Sequence, residues 1–522
     1  MKVSPALFLT LQYLAVTHGS QDVLDRTAPP LLGLREVLEK ARVQSGIPGM
    51  SVAVLHKGKL VFAEGFGKRN ELEPFTAETL MPIASLTKAF TSAAIGELVG
   101  EGKMDWDLTP VSKYLPEFEL QDPVLTSQLT LQDLLSHRTG LPRVDVGWFW
   151  NTESRRDLIK RLKHVKMESK LRSALQYNNV MYGVAGEAAA NVAGVSYEEL
   201  VRTKVFKPLG LSSTGFSTME MKKNRNYALP YEAASFKDAQ NGVFRQLPLD
   251  NMATACAPSG DIYSNVLDLV HWGQIVMKYG EHNGTQLLHR DSVVEMLSGH
   301  SIDLKGRRAP EFGPLKAYGL GWGLDSYKGY IVYGHGGHNP GYVSSLLLFP
   351  DAELVVAYLA NVDSAALQNN IAYHIADELL DLPRTQDWIG AVTLNATRQL
   401  YEDAAQEAQG DFPERIRDRP STRVPNELAG EYSNPLYGDV FIRLEGGDKE
   451  KEILRFTLRV FEGTLEHFHY DTFSIVMRHS TYRFANLVTF ITGEDGKIAG
   501  FQMDITGSME KFQRKKSFSG SV

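Results

Sequence analysis

The sequence predicts a mixed α/β protein of the α+β type, an antiparallel sheet flanked by helices and followed by a small all-β barrel. Three observations carry this. Strand-like segments lie at both ends of the first 384 residues, with helical patterns between them. A polar connector, residues 385–424, then breaks the pattern. After it, short strands and turn signals alternate about every eight to twelve residues.

Each element follows in order. "MKVSPALFLTLQYLAVTHGS" has a basic start and an apolar stretch from Pro5 to Val16, broken only by Thr10 and Gln12. That is the pattern of a secretory signal over residues 1–20, too short to span a bilayer. It predicts an extracellular protein, or a periplasmic one in a bacterium. "MSVAVLHKGKLVFAEGFG" reads as two strands around a Lys57-Gly58 turn. "SLTKAFTSAAIGELVGEGKM" reads as a helix starting at Ser85 and ending near Gly100 and Gly102. "TLQDLLSHRTGLP" is a short helix closed by Gly140 and Pro142, and helical patterns dominate from Arg155 to Val201. From Gly319 the chain turns to β. "YGLGWGLD" leads to "YIVYGHGGHNPGYVSSLLLFPDAELVVAYLAN", in which two apolar strands meet at Pro350-Asp351. "SAALQNNIAYHIADELLDL" returns to helix. Strands distant in sequence can share one antiparallel sheet, so residues 30–384 make one domain. The connector holds one helix and the turn-rich "GDFPERIRDRPSTRVP". Residues 425–522 are strands throughout, with "HFHYDTF" expected as part of a single strand.

Composition narrows function. The chain has 522 residues, 43% hydrophobic and 22% charged, with a formal net charge of -7. There is no basic excess of the kind nucleic acid requires. Cys256 is the only cysteine, which excludes an intrachain disulfide and a cysteine zinc cluster. A lone cysteine is expected to be a buried small apolar residue. The sequons Asn283-Gly-Thr and Asn395-Ala-Thr fit a secreted glycoprotein. No other segment is long and apolar enough to span a membrane.

Ser85-Leu-Thr-Lys88 is the first candidate for chemistry. Ordinary usage yields roughly two Ser-x-x-Lys pairs in a chain of this length. The second, Ser508-Met-Glu-Lys511, lies in a β region where residues three apart face opposite sides. Ser85 opens a predicted helix, where residues three apart share a face. Lys88 can then reach the Ser85 hydroxyl, and the helix terminus favours an alkoxide. A plain N-cap serine with a solvated lysine explains the same ten residues. As chemistry, a serine needs a base within hydrogen-bond reach. A buried lysine loses basicity and can serve. A tyrosine near pKa 10 is a poor base unless an adjacent ammonium lowers it.

Two further stretches fall in order behind the serine. "ALQYNNVMYG" places Tyr177 and Asn179 before a helix, and "YGHGGHNPGY" places His335, Gly336, Gly337 and His338 on a strand. The ordered trio resembles the serine β-lactamase and penicillin-binding protein superfamily, nearest its class C branch with esterases and D-aminopeptidases. "LTLQDLLSHRTGLPR", "APSGDIYSNVLDLVHW", "YGLGWG" and "FPDAELVVAYLAN" resemble it too, so the likeness covers roughly residues 30–383. It implies a β-lactamase/transpeptidase-like fold, a sheet flanked by helices plus an all-helical subdomain. It implies that Ser85 attacks a carbonyl, Lys88 and Tyr177 share proton transfer, and Asn179 orients Lys88 and the substrate. It places His335 where the family has lysine, and assigns the oxyanion hole to the backbone N–H groups of Ser85 and His338. Gly336 and Gly337 would leave room for substrate along the strand. A histidine is only partly charged near neutrality. The change from lysine therefore disfavours β-lactam carboxylates and favours esters, peptides or D-amino-acid amides. The terminal domain resembles the lipocalin-like barrel of some relatives, where it packs beside the active-site mouth or drives homo-oligomer assembly.

The expected function is a secreted serine hydrolase that cleaves an ester or amide (peptide) bond in a small-molecule or peptide substrate. The alternatives are an acyltransferase of secondary metabolism and a non-catalytic binding or assembly protein on the same fold. No Gly-x-Ser-x-Gly and no His-Glu-x-x-His occurs, and His335 and His338 lack an adjacent acidic third ligand. "GLGWG" lacks the spacing of a dinucleotide loop. Neither a metal nor an organic cofactor is expected.

Overall fold

The computed structural model describes residues 31–515 other than 152, 251, 304–308, 447–451 and 506. The signal-like stretch lies outside the described residues. The strands of the two large sheets are numbered here in chain order. The first sheet contains β1 (Gly49–His56), β2 (Lys59–Gly67), β3 (Ser301–Asp303), β4 (Lys316–Tyr318), β5 (Gly323–Tyr327), β6 (Tyr330–Asn339), β7 (Tyr342–Phe349) and β8 (Leu354–Ala360). Its spatial order is β3-β4-β5-β6-β7-β8-β1-β2, antiparallel throughout. The N-terminal hairpin joins the sheet at β8, with Val52 opposite Tyr358.

β1, β7 and β8 are buried along almost their whole length because both sheet faces are covered. Met50, Val52 and Val54 enter one core, and Ala53 and Leu55 enter the other. Leu354, Val356 and Tyr358 alternate in the same way with Val355, Ala357 and Leu359. The six main helices are α1 (Leu34–Gln44), α2 (Thr87–Gly100), α3 (Asn179–Ala193), α4 (Val266–Met277), α5 (Leu367–Leu379) and α6 (Thr393–Glu407). α1 and α5 supply Leu34, Leu38, Leu367 and Ile371 to one core; α2 and α4 supply Phe90 and Trp272 to the other. Phe90 and Trp272 stack with centroids 4.6 Å apart.

Local structure departs from the sequence expectations at three places that matter. The helix in "TLQDLLSHRTGLP" is only Leu131–Leu135, started by a Thr130–Asp133 capping box. It ends before His137, whose φ is 60°. Between Arg155 and Val201 the helical reading fails over 165–178, an irregular segment. Backbone hydrogen bonds from Arg172 to Arg138 and from Gln176 to His137 hold it there and deliver Tyr177. "HFHYDTF" is a hairpin and not one strand, because Tyr470 adopts φ 49° between its two arms.

The C-terminal strands are β9 (Gly430–Asn434), β10 (Gly438–Glu445), β11 (Ile453–Leu458), β12 (Phe461–His469), β13 (Thr472–His479), β14 (Tyr482–Thr492), β15 (Ile498–Ile505) and β16 (Ser508–Arg514). They close into a barrel in which β9 pairs with β16. Tyr432, Phe456, Phe490 and Phe501 fill its interior. The tip of the β13–β14 hairpin docks on the first domain, with Tyr482 4.5 Å from Phe149 and His479 4.3 Å from Trp150 between ring centroids.

Candidate active site

Ser85 lies in a single 3₁₀ turn, Ala84–Leu86, that feeds α2. Ala84, a non-glycine residue, has φ 48°, a strained conformation that presents the next residue at the helix mouth. The cap of α2 is Leu86, with no side-chain cap hydrogen bond, so Ser85 is not a capping serine. Its hydroxyl meets two other groups instead. Lys88 Nζ is 3.0 Å from Ser85 Oγ, and the Tyr177 hydroxyl donates to Ser85 Oγ at 2.9 Å.

Lys88 is fully buried. Its Nζ donates to Asn179 Oδ1 at 2.8 Å and to the Ser259 carbonyl at 2.9 Å. Burial holds its pKa well below the usual lysine value. A neutral amine has two N–H bonds and one lone pair, and the two carbonyl oxygens can only accept. The lone pair is then left for the Ser85 hydroxyl. Asn179 is the first residue of α3, placed by Asn178, whose side chain caps that helix by accepting from the Met181 N–H.

Tyr177 differs from expectation. Burial pushes its pKa up, outweighing the lowering by Ser85 and Arg143, so the phenol stays protonated. Burial lowers the basicity of the lysine that was to depress it. His335 on β6 also differs. Burial above all pushes its pKa down to about 3, so it is neutral and not partly charged. Its Nδ1–H donates to the Gly336 carbonyl at 2.5 Å, and Nε2 faces the Tyr318 hydroxyl at 2.9 Å.

The two glycines of β6 have different surroundings. A Cβ on Gly337 would lie 2.3 Å from the Ile83 carbonyl oxygen and 2.2 Å from Ser344 Oγ. Gly337 therefore makes room for the turn that carries Ser85, in addition to lining the cleft. Ser344 Oγ donates to the Ile83 carbonyl at 2.7 Å and ties β7 to that turn. Gly336 faces Gln368, whose Nε2 donates to the Gly337 and Ser344 carbonyls at 3.1 and 2.9 Å. His338 directs its ring away from the serine, with Nε2 3.2 Å from Asp363 Oδ1. Cys256 is buried beneath α3, its thiol donating to the Asn179 carbonyl at 3.3 Å.

A cleft of about 410 Å³ opens over these groups. Ser85, Tyr177, Asn179, His335, Gly337 and His338 all line it. So do Arg143, Ser259, Gln368 and the barrel residue Tyr482, which sequence reasoning did not single out. The first two stand in "LTLQDLLSHRTGLPR" and "APSGDIYSNVLDLVHW", where the polar residues beside proline were the available signal. His137 also went unnoticed. Its Nδ1 accepts from the Asn178 N–H at 3.1 Å, and its ring lies 4.2 Å from that of Tyr177. Among the described residues, no helix is long and apolar enough to cross a membrane.

The beta-lactamase family profile matches residues 34–380, and a domain of unknown function, DUF3471, matches residues 415–517. The unguisins hydrolase ungD' of Aspergillus campestris (strain IBT 28561) is 27% identical over 465 residues, covering 84% of this chain and 80% of that protein. The octameric penicillin-binding protein homologue from Pyrococcus abyssi covers 92% of this chain and 100% of its own, with a TM-score of 0.56 at 21% identity. The D-amino acid amidase from Ochrobactrum anthropi SV3 covers 68% of this chain and 99% of its own, with a TM-score of 0.53 at 20% identity. These two likenesses concern the fold. With its Ser85, Lys88 and Tyr177 assembled at one cleft, the chain belongs to the beta-lactamase family and is a serine hydrolase of that family's type.

Proposed function

We propose that the protein hydrolyses an ester or amide (peptide) bond through an acyl-enzyme on Ser85. The carrying observation is the Ser85 oxygen held between Lys88 Nζ at 3.0 Å and the Tyr177 hydroxyl at 2.9 Å. Neutral Lys88 takes the Ser85 proton as Oγ attacks the carbonyl carbon. The backbone N–H groups of Ser85 and His338 receive the oxyanion, each such donor being worth about 3–4 kcal/mol. Tyr177, protonated, gives its proton to the leaving nitrogen or oxygen as that bond breaks, and the proton that Lys88 took from Ser85 restores the phenol. Water then attacks the acyl carbon and loses a proton to Lys88, which hands it to Ser85 Oγ as the acyl carbon–Oγ bond breaks, releasing the acid and restoring the serine. Asn179 and the Ser259 carbonyl keep the Lys88 lone pair aimed at the serine.

A fluorophosphonate probe and a p-nitrophenyl ester test this. Labelling that maps to Ser85 by mass spectrometry, and that is lost with turnover in Ser85→Ala, is the expected result. Absence of both adduct and turnover in the wild-type protein would leave only a binding scaffold.

The chain is also proposed to be exported and glycosylated, on the strength of its N-terminal pattern and of Asn283 and Asn395, both exposed. A mass shift on deglycosylation of protein from a secreting eukaryotic host is expected, and its absence from both sites would remove this.

A further inference from the structure

Arg143 is the only lysine or arginine among the described residues lining the cleft, and no aspartate or glutamate lines it. The Arg143 side chain is half-exposed. Its Nε donates to Asp145 Oδ2 at 2.6 Å, while Asp145 Oδ1 accepts from the Trp148 indole N–H at 2.9 Å. Asp145 is thereby fully engaged behind the cleft wall. The two terminal nitrogens of the Arg143 fork have no hydrogen-bond acceptor among the described residues. The guanidinium carbon stands 5.3 Å from the centroid of the Tyr177 ring, whose hydroxyl reaches Ser85.

The other basic groups near the serine cannot hold an anion. Lys88 is buried, with its hydrogens directed at Asn179 and Ser259. His335 is neutral, and the His338 ring is paired with Asp363. Phe149, Trp148 and Tyr482 wall the cleft beside Arg143 and reduce its solvation, which strengthens a charged hydrogen bond made there.

The geometry points to Arg143 as an anion-recognition group. The protein takes substrates that carry a carboxylate close to the scissile bond, and the free end of the guanidinium fork grips both carboxylate oxygens. This rests on the Ser85 reading above and names its substrate class.

Three esters test it: phenyl hexanoate, phenyl hydrogen adipate with a carboxylate on the acyl side, and 4-carboxyphenyl hexanoate with one on the leaving group. Each is assayed with the wild type, Arg143→Gln and Arg143→Lys. For at least one charged ester, Arg143→Gln is expected to lower kcat/KM about tenfold or more beyond its effect on phenyl hexanoate, mainly through KM. The charged ester affected reports the side of the scissile bond on which the anion lies. Arg143→Lys, which keeps the charge without the fork, should fall between. Equal losses on all three esters, in both variants, would overturn the proposal. A wild type that turns over no ester and takes no fluorophosphonate at Ser85 would instead remove the Ser85 reading, and this one with it.

Discussion

Asn179 Oδ1 accepts a 2.8 Å hydrogen bond from Lys88 Nζ, and the other partners of that amine, Ser85 Oγ and the Ser259 carbonyl, are neutral as well. A buried lysine without a touching carboxylate loses its proton easily, and that is what a base needs.

Asn179→Asp therefore places a carboxylate against the amine. A close opposite charge moves a pKa by about one to three units, here upward. The neutral fraction of Lys88, and with it kcat/KM, should fall by about tenfold for each unit by which the raised pKa exceeds the assay pH. The acid limb of the pH–rate profile should move to higher pH, and activity should recover on raising the pH. Asn179→Ala should lose activity without that displacement. A profile that keeps its limb in Asn179→Asp would mean that Lys88 is not the base.

Much of this was legible in the sequence, for reasons that can be named. The β1–β2 and β7–β8 hairpins declared themselves through Lys57-Gly58 and Pro350-Asp351 turns between apolar runs. Ser85 and Lys88 could be paired by helical spacing, while Tyr177 and Asn179 came from the resemblance of three ordered motifs to the family. What stayed hidden depends on packing between distant segments. No local pattern reveals that Gly337 must admit Ile83, or that Gln368 of α5 holds the β6 and β7 carbonyls. The sign of the Tyr177 shift was misread because it depends on burial, which a short motif does not contain. Tyr482 was invisible for the same reason, since it lies in another domain from the serine whose cleft it lines.

His335 gives a pH prediction. Its pKa is about 3 in the folded protein against the usual 6.5, so below 6.5 the unfolded chain binds the extra proton first. The stability contributed by keeping this ring neutral is in place above pH 6.5 and is lost progressively as the pH falls toward about 3. Denaturant unfolding across that window should show the wild type losing stability faster than His335→Gln. The two proteins should run parallel above pH 7, and kcat/KM should show no His335 limb near neutrality. Parallel curves throughout the acid window would place the histidine in a wetter site.

At Gly337 the prediction is steric. An added methyl would sit 2.3 Å from the Ile83 oxygen and 2.2 Å from Ser344 Oγ, closer than any real contact. Either β6 or the nucleophile turn must move. Overpacking of this kind costs about 1–3 kcal/mol. The activity loss of Gly337→Ala should exceed the stability loss, because a displacement of about 1 Å near the reacting atoms can cost a hundredfold. Gly336→Ala, whose methyl would meet Gln368 Nε2 at 3.6 Å, should be far milder. Calorimetry and ester hydrolysis on the pair separate the two, and equal effects would contradict the packing described.

The barrel's contribution can be isolated at Tyr482. Its ring packs 4.5 Å from Phe149 and lines the cleft beside Arg143, while the hydrogen-bond partners of Lys88 and Tyr177 all come from the first domain. Removing the ring widens the mouth without touching the proton path. Tyr482→Ala should therefore raise KM for phenyl esters several-fold while changing kcat much less, the signature of lost binding that is uniform between ground and transition states. Its stability cost should stay below the roughly 3–5 kcal/mol of a fully buried aromatic, because the ring is only partly buried. Phe501→Ala in the barrel interior is the control, lowering the melting temperature with KM intact as long as the barrel stays folded. If Tyr482→Ala altered stability alone and left KM at the wild-type value, the barrel would be a support for the catalytic domain and no part of its binding cleft.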